Sequence, residues 1–511
     1  MKKQSLIKAS VVLAVSGIVS RFLGLFFRWP LIMLIGDEGI GYYQMSYPLY
    51  MFFIAMASGV PIAISKMISE KNAIYDVEGC FQVLKEAAIF MSIIGIGTTF
   101  ILLMGSKQII SFLKWDSKAY YALIGISFAP MVISFMTIFR GFFQGFQNMT
   151  PSAISQIVEQ IGRVIFGVGL AVFLLPKGIE YSAGGAAFGA TAGAVFAFEY
   201  LYTKYRKIKK WYGIKKVKAD SKILDKLLRI AIPISLGATV GTVMNLIDSI
   251  LVPQNLLKAG FTSTQSTVLY AQLTGKASVI INIPLTLSMA LCTSLIPVIA
   301  ECFILKKRSE LKDKVYMSMK LSAVIAIPCT FGLYFFAGPI MKFIFPQRYG
   351  GIEILKYMSV TIPFIIITQI TTSILQGVDH YIRPVINLLI GCIVKIILTL
   401  TLVKLTNINI YGAVIASFSA YAISTILNII SMKQVLKIKL NLYSILIKPF
   451  YASVIMTLVS LIGYNIIYRK TMSNMISCPC AICIAIVMYF ILMVVFKVFD
   501  IKDIKRRIGK L

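Results

Sequence analysis

The chain has 511 residues, of which 58% are hydrophobic and only 14% charged, and a formal net charge of +31. Soluble domains are roughly 25% charged, and a soluble chain of this length would divide into several polar-surfaced domains. Composition therefore excludes an ordinary soluble enzyme and points to an all-α polytopic membrane protein, because helices satisfy their own backbone hydrogen bonds in lipid. The basic excess reads as a topology signal, Lys and Arg being retained on the cytoplasmic side, and no nucleic-acid partner is expected.

Taken in chain order, apolar stretches of about 20 residues, the length that crosses hydrocarbon, predict about fourteen transmembrane helices. They fall at 8–34, 45–66, 86–105, 119–139, 152–175, 183–203, 227–250, 269–300, 317–337, 354–375, 385–404, 411–432, 443–467 and 479–497. The first carries Lys2, Lys3 and Lys8 and then a long apolar run; it reads as an uncleaved first helix with a cytoplasmic N-terminus. An even number of spans puts both termini on that side. Loops on the N-terminal side hold about 35 of the 51 Lys and Arg residues and the opposite loops about 11, which is the asymmetry the positive-inside rule demands. The densest basic stretch, Lys204 to Lys218, is a surface for anionic membrane lipids.

A repeat is visible in the chain. Gln144-Gly145 and Arg163 recur as Gln376-Gly377 and Lys395, at an offset of 232 in both cases (376 − 144; 395 − 163). This implies two six-helix lobes in parallel orientation, an arrangement that builds a central cavity. The expected organisation is an N-terminal lobe at 1–210, a basic cytoplasmic linker at 211–226, a C-terminal lobe at 227–440, and helices 13 and 14 with a basic tail at 441–511.

Ionisable groups inside a span cost roughly 2.5–3.5 kcal/mol each, so they face a cavity or a partner. Arg21 and Arg28 lie seven apart in the first helix, on nearly one face. Lys276, Asp248 and Lys395 lie in the eighth, seventh and eleventh helices, and Asp248 is a candidate partner for Lys276. Glu159 and Arg163, one turn apart in the fifth helix, have the spacing of an internal ion pair. The intramembrane charges are mainly basic, and a guanidinium fork suits phosphate, so an anionic substrate is favoured over a cationic drug. Cys478, Cys480 and Cys483 cluster but lack further ligands; with His380 far away in sequence, no metal or other cofactor is expected.

Several motifs carry a family resemblance: Ser20-Arg21-Phe22-Leu23-Gly24, Gly36-Asp37-Glu38-Gly39, Val60-Pro61-Ile62-Ala63, Arg140-Gly141-Phe142-Phe143-Gln144-Gly145 through Pro151, and Ser155 to Gln160. With these the chain resembles the sporulation-associated polysaccharide transporters of the multidrug/oligosaccharidyl-lipid/polysaccharide exporter superfamily, and more distantly the lipid II flippases. The resemblance implies a two-lobed bundle working by alternating access on a lipid-linked glycan precursor such as lipid II, in the bacterial cell membrane, for spore cortex peptidoglycan, with cell-wall synthesis proteins as partners. It also implies that basic residues of the first and eighth helices line the cavity: Arg21 matches by motif, Arg28 loosely, and Lys276 lies in the corresponding helix.

Two rivals share some of these features. A cation-coupled multidrug exporter would use Asp248 or Glu159 in its cavity. A membrane-embedded glycan-assembly enzyme would need acid/base residues on an outer loop, where Asp37-Glu38, flanked by Gly36 and Gly39, fits a turn better.

Overall fold

The computed structural model describes residues 6–214, 220–437, 442–496 and 498, and regular structure within them is helical throughout. The helices form two compact units, Met1–Ala271 and Gln272–Leu511. The first holds α1 (Leu6–Ala57), α2 (Gly59–Ala73), α3 (Val77–Met104), α4 (Ser106–Leu113), α5 (Ala119–Ser127), α6 (Ala129–Gly145), α7 (Thr150–Leu174), α8 (Ile179–Trp211), α9 (Ser221–Lys258) and α10 (Ser263–Ala271). The second opens with a π-helical turn at Gln272–Ala277 and continues through α11 (Ser278–Ile304), α12 (Arg308–Phe335), α13 (Ala337–Ile344), α14 (Ile352–Ser359), α15 (Ile362–Gly377), α16 (Ile382–Leu402), α17 (Tyr411–Leu436), α18 (Leu442–Thr471) and α19 (Asn474–Val495).

Among the described residues nine helical runs are long and apolar enough to cross a membrane, and two bent pairs raise the number to eleven. The protein is a multi-pass membrane protein. The first of these runs, Val15–Ala73, is 59 residues long and cannot be one straight span. Gly36 breaks α1 with φ 66° and ψ −168°, a region open only to glycine. Beyond it the chain doubles back: the Phe27 and Tyr43 rings stand 6.0 Å apart, whereas sixteen residues of straight helix would separate them by about 24 Å. The loop expected between 34 and 45 is therefore this single sharp turn. Other expected spans are split. Phe128 interrupts the fourth between α5 and α6, just before Pro130, and α14 meets α15 at 44°.

Packing divides the chain later than the helix count suggested. The helix expected at 227–250 is α9, and it packs in unit 1. The Gly59 N–H donates to Ser235 Oγ (3.0 Å), Trp115 Nε1 donates to the Ser249 carbonyl (2.7 Å), and Gln254 Nε2 donates to the Leu113 carbonyl (2.8 Å). Part of the expected linker (215–219) and most of the basic tail lie outside the described residues. Helix order nevertheless runs in step between the units: α3, α4, α5, α6, α7 and α8 start at 77, 106, 119, 129, 150 and 179, and α12 to α17 at 308, 337, 352, 362, 382 and 411, offsets of 231 to 233.

The α7–α8 contact positions the polar residues of unit 1. Gly185, Gly189 and Gly193 recur every fourth residue on α8, the small-residue spacing that lets membrane helices approach closely. A Cβ on Gly193 would strike the Glu159 carbonyl, and one on Gly189 would meet the Arg163 carbonyl at 2.9 Å. Phe112 (83% exposed) and Phe173 (72%) lie on the surface of unit 1.

Candidate functional site

The site grows from the two arms of α1 and the face of α7 that packs on them. Tyr43, Tyr47 and Tyr50 follow one another at spacings of four and three, which places their rings on one side of the second arm of α1. Tyr43 and Tyr47 stack with centroids 5.4 Å apart, and Tyr47 and Tyr50 lie 5.7 Å apart. Burial of Tyr43 and Tyr50 holds this ladder still.

Two guanidinium groups converge on Tyr47. Arg28 from the first arm of α1 lies 5.8 Å from the ring centroid, and Arg163 from α7 lies 5.6 Å from it. Arg163 also stands 5.9 Å from the Phe27 ring. Such contacts attract the cation through the ring quadrupole, by about 2 kcal/mol when desolvated. They leave its N–H groups free to donate. The Nε and Nη2 groups of Arg163 are shut away from the surface and have no hydrogen-bond partner. A buried donor left unmade costs roughly 1–3 kcal/mol, more when charged, so the arrangement is poised to gain from an acceptor.

The i,i+4 ion pair expected between Glu159 and Arg163 is absent. Glu159 instead faces Arg140 of α6: Arg140 Nη2 donates to Glu159 Oε2 at 2.9 Å and Arg140 Nε donates to Ser155 Oγ at 2.8 Å. Both members of the pair are mostly buried, 14% and 16% exposed. Ser155 Oγ in turn donates to the Ser152 carbonyl (2.7 Å), and Ser152 Oγ donates to the Arg140 carbonyl (3.2 Å), closing a small network between α6 and the start of α7. One turn earlier in sequence than Glu159, Gln156 accepts from Ser16 of α1 at 3.1 Å.

The other residues singled out by sequence are dispersed. Arg21 lies on the first arm of α1, and its side chain falls outside the described residues. Lys276 sits in the π-helical turn of unit 2, 1% exposed; its ammonium lies 5.6 Å from the Phe345 ring and donates to the Arg348 carbonyl. Asp248 is buried on α9 of unit 1 and Lys395 on α16 of unit 2. Cys478 is buried while Cys480 and Cys483 are exposed. Tyr47 and Arg140 were not singled out by sequence. The four-and-three spacing of the tyrosines was a readable signal for the first; for the second, nothing in sequence told that α6 brings Arg140 to Glu159.

Fold and site together define a membrane transporter: a multi-pass helical bundle with basic groups inside its spans, of the flippase and exporter class. The chain matches the family described as polysaccharide biosynthesis protein over residues 6–303, more than half its length, and belongs to that family; residues 273–401 also match the MatE family. It is 28% identical over 447 residues to stage V sporulation protein B of Bacillus subtilis, covering 86% of this chain and 85% of the relative. It is 29% identical over 454 residues to the lipid II flippase MurJ of the same organism, covering 84% and 82%. A solved structure of lipid II flippase MurJ in an inward closed conformation superposes with a TM-score of 0.74 at 17% identity, over 95% of this chain and 99% of that one.

Proposed function

We propose that the protein flips a lipid-linked pyrophosphate, a peptidoglycan or polysaccharide precursor of the lipid II kind, for spore cortex synthesis, and that unit 1 holds the pyrophosphate on Arg28 and Arg163. The observation that carries this reading is the buried, unpartnered Nε and Nη2 of Arg163 beside the tyrosine ladder. Guanidinium groups bind phosphate oxygens through parallel charge-assisted hydrogen bonds, and the Tyr47 ring fixes both groups without consuming their donors. Arg21, seven residues from Arg28 on the same helix, is a further candidate for this role. Lys276, in unit 2, already donates to the Arg348 carbonyl and would have to leave it to bind an anion itself. Because Arg140 already neutralises Glu159, that carboxylate offers little to a cationic drug. With the cytoplasm negative, outward movement of the anion gains about 2.3 kcal/mol per charge per 100 mV, so transport needs no nucleotide.

The test is translocation of fluorescent lipid II in proteoliposomes at an imposed potential. The native protein is expected to move the lipid faster with the interior negative on the donor side, and Arg163→Ala, checked for folding, to lose that movement. Transport indifferent to both potential and Arg163 would overturn the reading.

A further inference from the structure

Glu159 is placed to neutralise Arg163, the only cation among the described residues with buried donors left unmade. It stands one turn before Arg163 on α7, at the spacing where a carboxylate and a guanidinium normally pair, yet the structure gives it to Arg140 across the α6–α7 contact at 2.9 Å. The Arg140–Glu159 contact is not the only way to join two such helices. In unit 2 the residues 232 positions on from Arg140, Ser155 and Glu159 are Thr372, Asn387 and Gly391. There Asn387 Nδ2 donates to Asn428 Oδ1 at 2.8 Å and Asn428 Nδ2 donates to Thr372 Oγ1 at 3.1 Å. Neutral groups suffice at that point in the chain order, so unit 1's charges call for another explanation.

We propose that Arg140 is a positioning residue that acts through Glu159: it draws the carboxylate away from Arg163 and so leaves the donors of the Arg163 guanidinium open to an anion. The inference rests on the anion-binding reading of Arg28 and Arg163. Without Arg140, Glu159 turns to Arg163, satisfies its donors, and competes with any phosphate. The carboxylate is then an internal mimic of the ligand, held off by a second arginine.

Two measurements on the purified full chain test this. The first is equilibrium binding of undecaprenyl pyrophosphate to protein in nanodiscs. Arg140→Gln is expected to weaken binding about tenfold, equivalent to roughly 1.4 kcal/mol, and Arg140→Gln combined with Glu159→Gln to restore it, because the competing carboxylate is gone. A merely structural strut would not be rescued by losing its second half, so a double variant as weak as Arg140→Gln would overturn the proposal, as would full binding by Arg140→Gln alone. The second measurement needs no ligand. Thermal unfolding of the Glu159→Gln and Arg163→Gln single and double variants is compared with Arg140 present and replaced by Gln. Coupling between positions 159 and 163 is expected to rise when Arg140 is absent; equal coupling in both backgrounds would overturn the partner exchange. If native protein bound no pyrophosphate, the anion-binding reading and with it the role assigned here to Arg140 would fall, while the unfolding cycle would still report whether Glu159 changes partner.

Discussion

α7 and α16 start 232 residues apart (382 − 150), and each carries a basic residue at the same offset, half-buried Arg163 and buried Lys395 (395 − 163). Around them the two units diverge. Unit 1 surrounds Arg163 with the rings of Phe27 and Tyr47 and places an ion pair, Arg140–Glu159, one turn away. Unit 2 lines α15, α16 and α17 with amides and hydroxyls: Asn387 to Asn428, Asn428 to Thr372, and Thr368 with Thr425 at 2.8 Å. One framework thus supports a neutral polar network that binds helices together and a charged one that leaves donors unmade. The difference supports the proposal that the charges of unit 1 serve a ligand.

Removing Arg163 should do the greatest damage. Each charge-assisted hydrogen bond is worth roughly 1.5–3 kcal/mol, so Arg163→Ala is expected to slow lipid II translocation by roughly 10- to 100-fold at unchanged expression, measured in proteoliposomes. Next comes the ring that holds both arginines: Tyr47→Leu removes two cation–π contacts and should cost about 1–2 kcal/mol of pyrophosphate affinity, whereas Tyr47→Phe should keep most of it. The comparison breaks if Leu and Phe behave alike. In unit 2, Asn428→Leu deletes the centre of the neutral network. It should lower the thermal stability of the protein in detergent by about 1 kcal/mol and leave pyrophosphate affinity unchanged; a loss of affinity instead would erase the contrast between the units.

The smallest effect concerns the turn between α2 and α3, away from either network. Asp76 caps α3, accepting from the Gly79 N–H (2.8 Å) and from Lys71 (2.7 Å). Those bonds, the one from Lys71 first, hold its carboxyl below the ordinary carboxylate range. A carboxyl whose pKa falls on folding stabilises the protein above its unfolded value, and that contribution is lost as pH drops through the folded value. Asp76→Asn is therefore expected to cost about 1 kcal/mol or less at neutral pH and nothing in strong acid, read from unfolding midpoints across pH. Equal penalties at both ends would show that the charge does not matter.

The all-helical, multi-pass class was legible in sequence because lipid imposes a simple rule: apolar runs of spanning length follow from composition and spacing. What sequence could not show was direction. Gly36 sat in a motif that read as a loop, but only its positive φ reveals one turn folding α1 back on itself. Glu159 and Arg163 had perfect pairing spacing, and tertiary packing overrode it because α6 delivers a second arginine to the same carboxylate. Arg28 was readable as an intramembrane cation; its partnership with Arg163 through Tyr47 was not, since it joins residues 135 positions apart (163 − 28). Lys276 was expected in the cavity with Asp248 as a candidate partner, and a π-helical turn brings its ammonium onto the Arg348 carbonyl.

Whether unit 1 holds an anion on the unmade guanidinium donors is read from the binding of undecaprenyl pyrophosphate and of uncharged undecaprenol to the native protein and to Arg163→Ala. The native protein should prefer the pyrophosphate, and the variant should lose that preference while still binding the shared tail. Equal binding of both lipids by the native protein, or an undiminished preference in the variant, would contradict it.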